Sequence, residues 1–213
     1  MTITPAFADE KPAIMPSGIK DVRKVANELI DGGIAALVER NTNQARTAGP
    51  WKSKSGGDLW VLQKLAYGEL HGLTRQMRDL ADQHGFFDNY DLAELRRMPE
   101  EFDIRGFRIY TVKGFKAGKV SGGEFHRIRK EIVFVTEGNV EACFEDVYGS
   151  EKRAKMNKGT GYYCPPFTIH AFQCITDGSF VVLANTLFDP EDPRTHDTYS
   201  RETFRRLQAK YRH

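Results

Sequence analysis

Between residues 104 and 186 the chain reads as short β-branched and aromatic runs broken by turn signals, and this texture constrains the fold more than any other feature. The runs are IRGFRIYTVK (104–113), EFHRI (124–128), EIVFVT (131–136), VEACFED (140–146), KRAKM (152–156), GYYC (161–164), HAFQCI (170–175) and SFVVLANT (179–186). Glu137-Gly138-Asn139, Tyr148-Gly149, Lys158-Gly159, Pro165-Pro166 and Asp177-Gly178 punctuate them. No helical crossover separates one run from the next. An antiparallel sandwich or jelly-roll barrel is therefore expected over residues 101–199.

The first half is patterned differently. Residues 1–16 carry Pro5, Pro12 and Pro16 and little periodicity, and read as a loosely docked arm. Over 17–100 the spacing predicts helices. The first follows an N-cap at Asp21 and carries Val22, Val25, Ala26, Leu29, Ile30, Ile34 and Leu37. A polar loop over 41–58 comes next. A long helix is expected from Asp58, with Leu59, Leu62, Ala66, Leu70, Leu73, Met77 and Leu80 stepping by three and four until His84-Gly85. A third, capped by Asp91, ends at Pro99, and a C-terminal helix over 200–213 places Phe204, Leu207 and Tyr211 on one side. The fold class expected is α+β: a helical N-terminal region, then an antiparallel β jelly-roll.

Composition narrows the partners. With 31 Lys and Arg against 29 Asp and Glu, interspersed, the chain carries no basic stripe for nucleic acid. Its longest apolar runs, IAAL and IVFV, are far short of the roughly 20 residues that a bilayer span requires. The N-terminus lacks the basic start and apolar core of a signal peptide, so a cytoplasmic protein is expected. Cys143, Cys164 and Cys174 have no CxxC spacing and read as free thiols. A small-molecule partner is the default.

Two histidines stand out. His126 and His170 each sit in a β-run beside carboxylates, Glu124 and Glu131 in the first case. Glu124 and His126 share a strand face, whereas Glu131, five residues on, joins them only if the chain bends between 128 and 130. Such a set suits Fe(II), Mn(II), Ni(II) or Zn(II) and leaves coordination positions open. The plainer alternative is a pair of part-buried histidines satisfied by neighbouring carboxylates.

The stretch 122–138, GGEFHRIRKEIVFVTEG, resembles the first cupin motif, with Glu124 at its first His position. The stretch 159–170, GTGYYCPPFTIH, resembles the second, with Gly159, Pro165 and His170 in register, Phe167 in place of the internal Gly, and Cys174 where Asn is usual. Within cupins, FHRIRKEIVFVTEG and the segment from PPFTIHAFQ to FDPEDPRTHDTY are similar to the cupin domain of capsular polysaccharide epimerase/reductases. FRIYTVKGFKAGKVSGGEFH is more like the WxcM and FdtA-type ketoisomerases of dTDP-sugars.

This resemblance implies a cupin barrel whose metal positions are His126, Glu131 and His170, with Glu124 as a substituted fourth. It also implies an isomerase or epimerase of a nucleotide-linked keto-sugar, working as a homodimer. Such an enzyme removes a proton next to a carbonyl and needs a base and a partner for the oxyanion. His126 and Glu124 are the candidate bases. One of Tyr162 and Tyr163 is expected to face the barrel interior, Tyr163 as proton donor and Tyr162 as sugar platform. Arg127 and Arg129 are candidates for a diphosphate, and Phe172 and Gln173 for substrate contact. An Fe(II) dioxygenase built on the same ligands and a non-catalytic ligand-binding protein are the alternatives.

Overall fold

The structure is a computed structural model that describes residues 13–15, 49–73, 75–88, 90, 103–189 and 192–211. The helices expected from Asp21 and Asp91, and most of the N-terminal arm, lie outside the described residues.

Twelve strands are described: β1 (Ala13–Met15), β2 (Trp51–Lys52), β3 (Asp58–Ala66), β4 (Arg105–Phe115), β5 (Val120–Phe125), β6 (Glu131–Glu137), β7 (Asn139–Asp146), β8 (Glu151–Asn157), β9 (Gly161–Cys164), β10 (Thr168–Cys174), β11 (Gly178–Thr186) and β12 (Tyr199–Ser200). They form a seven-stranded sheet in the order β1-β9-β6-β11-β4-β3-β2 and a five-stranded sheet in the order β12-β5-β10-β7-β8, with every pairing antiparallel. Two antiparallel sheets of this kind make a jelly-roll, the architecture of a cupin barrel. Helix α1 (Arg75–Gln83) and helix α2 (Arg201–Tyr211) complete it.

Period-two alternation sorts the side chains into three apolar clusters. Val112, Val133, Val135, Phe144, Tyr162, Phe172, Phe180 and Val182 face one another between the sheets. On the outer face of the larger sheet, Leu62, Phe107, Ile109, Ile132, Phe134 and Leu183 pack against Leu80 and Ala81 of α1 and against Phe86. On the smaller sheet, Phe125, Phe167 and Ile169 pack against Phe204 of α2. The expected C-terminal helix thus docks through Phe204, with Leu207 and Tyr211 beside it.

The long helix expected from Asp58 is not there. Residues 58–66 form β3, paired along its length with β4, and a 3-10 turn over Tyr67–Gly72 precedes a much shorter α1. The cause lies in an irregularity of register between Val61 and Gln63. A bulge inserts a residue and turns a period of two into the spacing of three that imitates a helix. Both faces of β3 are also apolar, Leu59 inward and Leu62 outward, which removes the alternation that marks a half-buried strand. The barrel therefore reaches outside 101–199: β2 and β3 extend the larger sheet at one edge, and β1, within the expected arm, pairs with β9 at the other.

Candidate metal centre

The larger sheet supplies the floor of the site. Glu131 on β6, Ala184 on β11 and Arg108 on β4 lie in one row across three strands, and Val133, Val182 and Tyr110 lie in the next. Polar residues thus occupy one end of an interior face that four residues further on, at Val135, Phe180 and Val112, is wholly apolar.

His126 lies just beyond the end of β5, on the segment that crosses from the smaller sheet to the larger. The bend that Glu131 needs is this crossing, because β5 and β6 belong to different sheets. One residue holds it in shape. The buried carboxylate of Asp197 accepts hydrogen bonds from the backbone N–H groups of Arg127, Ile128 and Arg129 at 3.0, 2.9 and 2.7 Å. His170 comes from β10, opposite Glu124 of β5, where the pairing bulges. Gly122 permits that bulge: its φ is +75°, and a Cβ there would lie 2.8 Å from the His170 carbonyl oxygen.

His126, Glu131 and His170 are at most 5% exposed, and their ligand atoms all lie within 4.8 Å of one another. The Nε2 atoms of His126 and His170 stand 3.6 and 3.3 Å from Glu131 Oε2. Each ring turns its Nδ1 to a backbone carbonyl, that of Asp197 at 2.5 Å and that of Thr168 at 3.3 Å. A carbonyl only accepts, so Nδ1 carries the proton of a neutral ring and Nε2 presents its lone pair. Burial, reinforced by Arg129, lowers the pKa of His126 and favours that neutral form. Burial opposes ionisation of Glu131, but the two imidazoles and the Arg129 guanidinium hold it well below the usual carboxylate range. The Tyr110 hydroxyl donates to Glu131 Oε1 at 3.0 Å. Two nitrogen lone pairs and a carboxylate oxygen therefore converge on one point, where a shared proton or a cation must lie. This donor set fits a borderline divalent ion, whose binding would displace the proton.

A cavity of about 270 Å³ opens onto the cluster. Its walls include Leu59, Tyr110, Val133, Phe172, Phe180 and Val182, with Glu124 and Arg129 among its polar groups. Phe172 and Arg129, expected at the substrate, both line this cavity. Glu124 is not a fourth member of the cluster: it lines the cavity with its side chain 28% exposed and forms an ion pair with Lys54. Strand alternation separates the tyrosines, Tyr162 stacking on Phe144 inside the barrel and Tyr163 turning outward onto His84. Neither lines the cavity, so Tyr163 is not placed to donate a proton there. Arg127 lies over the Tyr199 ring at 4.6 Å, and Gln173 faces out of the barrel toward the Lys119 carbonyl. Asp197, Tyr110 and Arg108 escaped the sequence reading. Only the i, i+2 relation of Arg108 and Tyr110 hinted that the two share a face.

A jelly-roll barrel with an imidazole and carboxylate cluster at one end is the class that fold and site define. No family model matches the chain, and no curated protein does. Similar solved structures include the capsular polysaccharide assembling protein CapF from Staphylococcus aureus, 20% identical over 46% of this chain and 30% of that one, with a TM-score of 0.39. The TDP-fucose-3,4-ketoisomerase WlaRA from Campylobacter jejuni is 21% identical over 51% of this chain and 76% of that one, with a TM-score of 0.40. The sugar 3,4-ketoisomerase QdtA from Thermoanaerobacterium thermosaccharolyticum, solved with TDP, is 18% identical over 52% and 77%, with a TM-score of 0.41. This chain's match spans about a third of CapF.

Proposed function

We propose that this chain is a divalent-metal cupin enzyme that isomerises or epimerises a nucleotide-linked keto-sugar, working in the cytoplasm as a homodimer. The observation that carries the enzymatic reading is the convergence of His126 Nε2, His170 Nε2 and Glu131 Oε2 at the inner end of a cavity. The nucleotide-sugar substrate, the compartment and the pairing of chains rest on the motif resemblance in the sequence. His126, Glu131 and His170 hold the ion, which when bound polarises a carbonyl oxygen.

The remaining residues bind substrate and move the proton. Glu124, at the cavity wall beside Lys54, takes the proton next to the carbonyl and returns it to the opposite face, or to the former carbonyl carbon while the hydroxyl proton passes to the former carbonyl oxygen. Phe172 offers the sugar an apolar face, and Phe180, Val133 and Val182 keep water from the inner end. Tyr110 fixes Glu131 by its hydrogen bond.

The test is incubation of TDP-4-keto-6-deoxyglucose with the protein in D2O, loaded in turn with Fe(II), Mn(II), Ni(II) and Zn(II). Deuterium uptake into recovered sugar, lost in Glu124→Gln, is the expected result. Absence of exchange with all four ions, in this sugar and in a nucleotide-linked keto-sugar acid alike, overturns the reading. Two histidines with one carboxylate also favour an Fe(II) dioxygenase, and oxygen consumption specific to the Fe(II) form would establish that instead.

A further inference from the structure

A second cavity, of about 340 Å³, adjoins the first and shares Leu59, Tyr110, Glu124 and Arg129 with it. Its distinguishing residues are Arg108 and Phe188. Arg108 is 2% exposed, yet among the described residues its Nε and Nη1 have no hydrogen-bond partner and no carboxylate forms an ion pair with its guanidinium. Two rings flank it: the guanidinium carbon lies 4.8 Å from the Tyr110 centroid and 4.9 Å from that of Phe188. Arg129, 4% exposed, gives Nε to Thr186 and Nη1 to Glu131 and leaves Nη2 unpartnered. Two buried cations thus face one cavity with three unpartnered nitrogens between them, in a fold where such groups are almost always paired.

We propose that Arg108 and Arg129 form a carboxylate-binding subsite, and that the substrate is an acidic sugar, a uronate or related sugar acid, whose carboxylate lies there while the rest of the molecule reaches the metal cluster. Charge favours a monoanion. Arg129 is already paired with Glu131, whereas among the described residues no carboxylate stands within ion-pair distance of Arg108. Shape favours a small planar group, because Leu59, Val61, Tyr110 and Phe188 enclose the donors in mostly apolar walls. In the row of the larger sheet, Ala184 stands between Arg108 and Glu131, so the subsite and the metal cluster are two strands apart. This inference rests on the proposed function for the reaction alone; the subsite is defined by the arginines.

The test is calorimetric titration of the full chain, with and without Zn(II), using glucuronate and galacturonate, the neutral sugars glucose and galactose, and glucose 6-phosphate. Expected is binding of the uronates, no response to the neutral sugars, and a loss of about 10- to 100-fold in uronate affinity in Arg108→Met, as removal of charge-assisted hydrogen bonds predicts. Metal content is unchanged in that variant. Its ligand-free melting temperature stays level or rises, because an uncompensated buried charge has been removed. A purely structural Arg108 would move stability and leave affinity alone. Should Arg108→Met fail to fold, Arg108→Lys, which keeps the charge and loses the planar fork, carries the same expectation for uronate affinity. The inference is overturned if the wild-type chain binds no uronate, if the variant binds it equally well, or if only the phosphate ester binds. Uronate binding without proton exchange in any sugar keeps the subsite and removes the isomerase; exchange of a keto-sugar without uronate binding does the reverse.

Discussion

The two ends of the barrel interior are built on the same face of the same strands, yet they obey opposite rules. Along β6 the inward residues run Glu131, Val133, Val135; along β4 they run Arg108, Tyr110, Val112. At the apolar end every side chain finds a packing partner, as Tyr162 does on Phe144 with ring centroids 3.7 Å apart. At the polar end guanidinium nitrogens go without partners, and lone pairs point at one another. The first end contributes the stability that the second end spends. A natural chain retains so many unmet groups in one place where something else is meant to meet them.

That contrast sets the expected sizes of perturbation. Phe180→Ala at the apolar end should cost about 3–5 kcal/mol in chemical denaturation while leaving metal per folded molecule unchanged. A parallel loss of metal would show that the two ends are not separable. Asp197→Ala leaves three backbone N–H groups without their acceptor and should cost about 3 kcal/mol, with the segment that carries His126 loosened and metal affinity falling together with stability. His170→Ala should instead lower divalent-metal affinity about 100-fold or more, read by elemental analysis after dialysis, with little loss of stability. Tyr110→Phe, which removes one hydrogen bond to Glu131, should cost about 1 kcal/mol.

Acid should separate the ends most gently. Both His126 and Glu131 have folded pKa values below their ordinary ones of 6.5 and 4.5, so the unfolded chain takes up protons first as pH falls. Their contribution to stability is complete above pH 6.5. It declines below that as His126 resists protonation, and declines further below pH 4.5 as Glu131 does. Melting temperatures of the metal-free protein should follow that course, and in His126→Ala the decline between pH 6.5 and 4.5 should be shallower.

Much of the barrel was legible because its strands carry local signals. The runs at 131–136, 140–146, 161–164 and 179–186 lie within β6, β7, β9 and β11. The run at 124–128 was displaced, since β5 begins at Val120 and ends at Phe125, leaving His126 on the crossing segment. The three candidate ligands were legible from the motifs and from the bend they demanded. What was not legible depends on distance along the chain. Asp197 reaches back some 70 residues to Arg127, and nothing local distinguishes it from the other acids near it. Arg108 is remarkable only once its neighbours fail to pair with it. The strand at 58–66 was misread because a bulge gave it the spacing of a helix.

Asp197 also fixes when the site can exist. Every candidate ligand has been synthesised by residue 170, but the backbone carbonyl that aims the His126 ring, and the carboxylate that shapes the segment beside it, come from a single residue made later. A ribosome-bound chain that stops before Asp197 would hold all three ligands and still be unable to point one of them. Any loading of a metal would therefore wait until Asp197 has been made and has packed against the segment that carries His126.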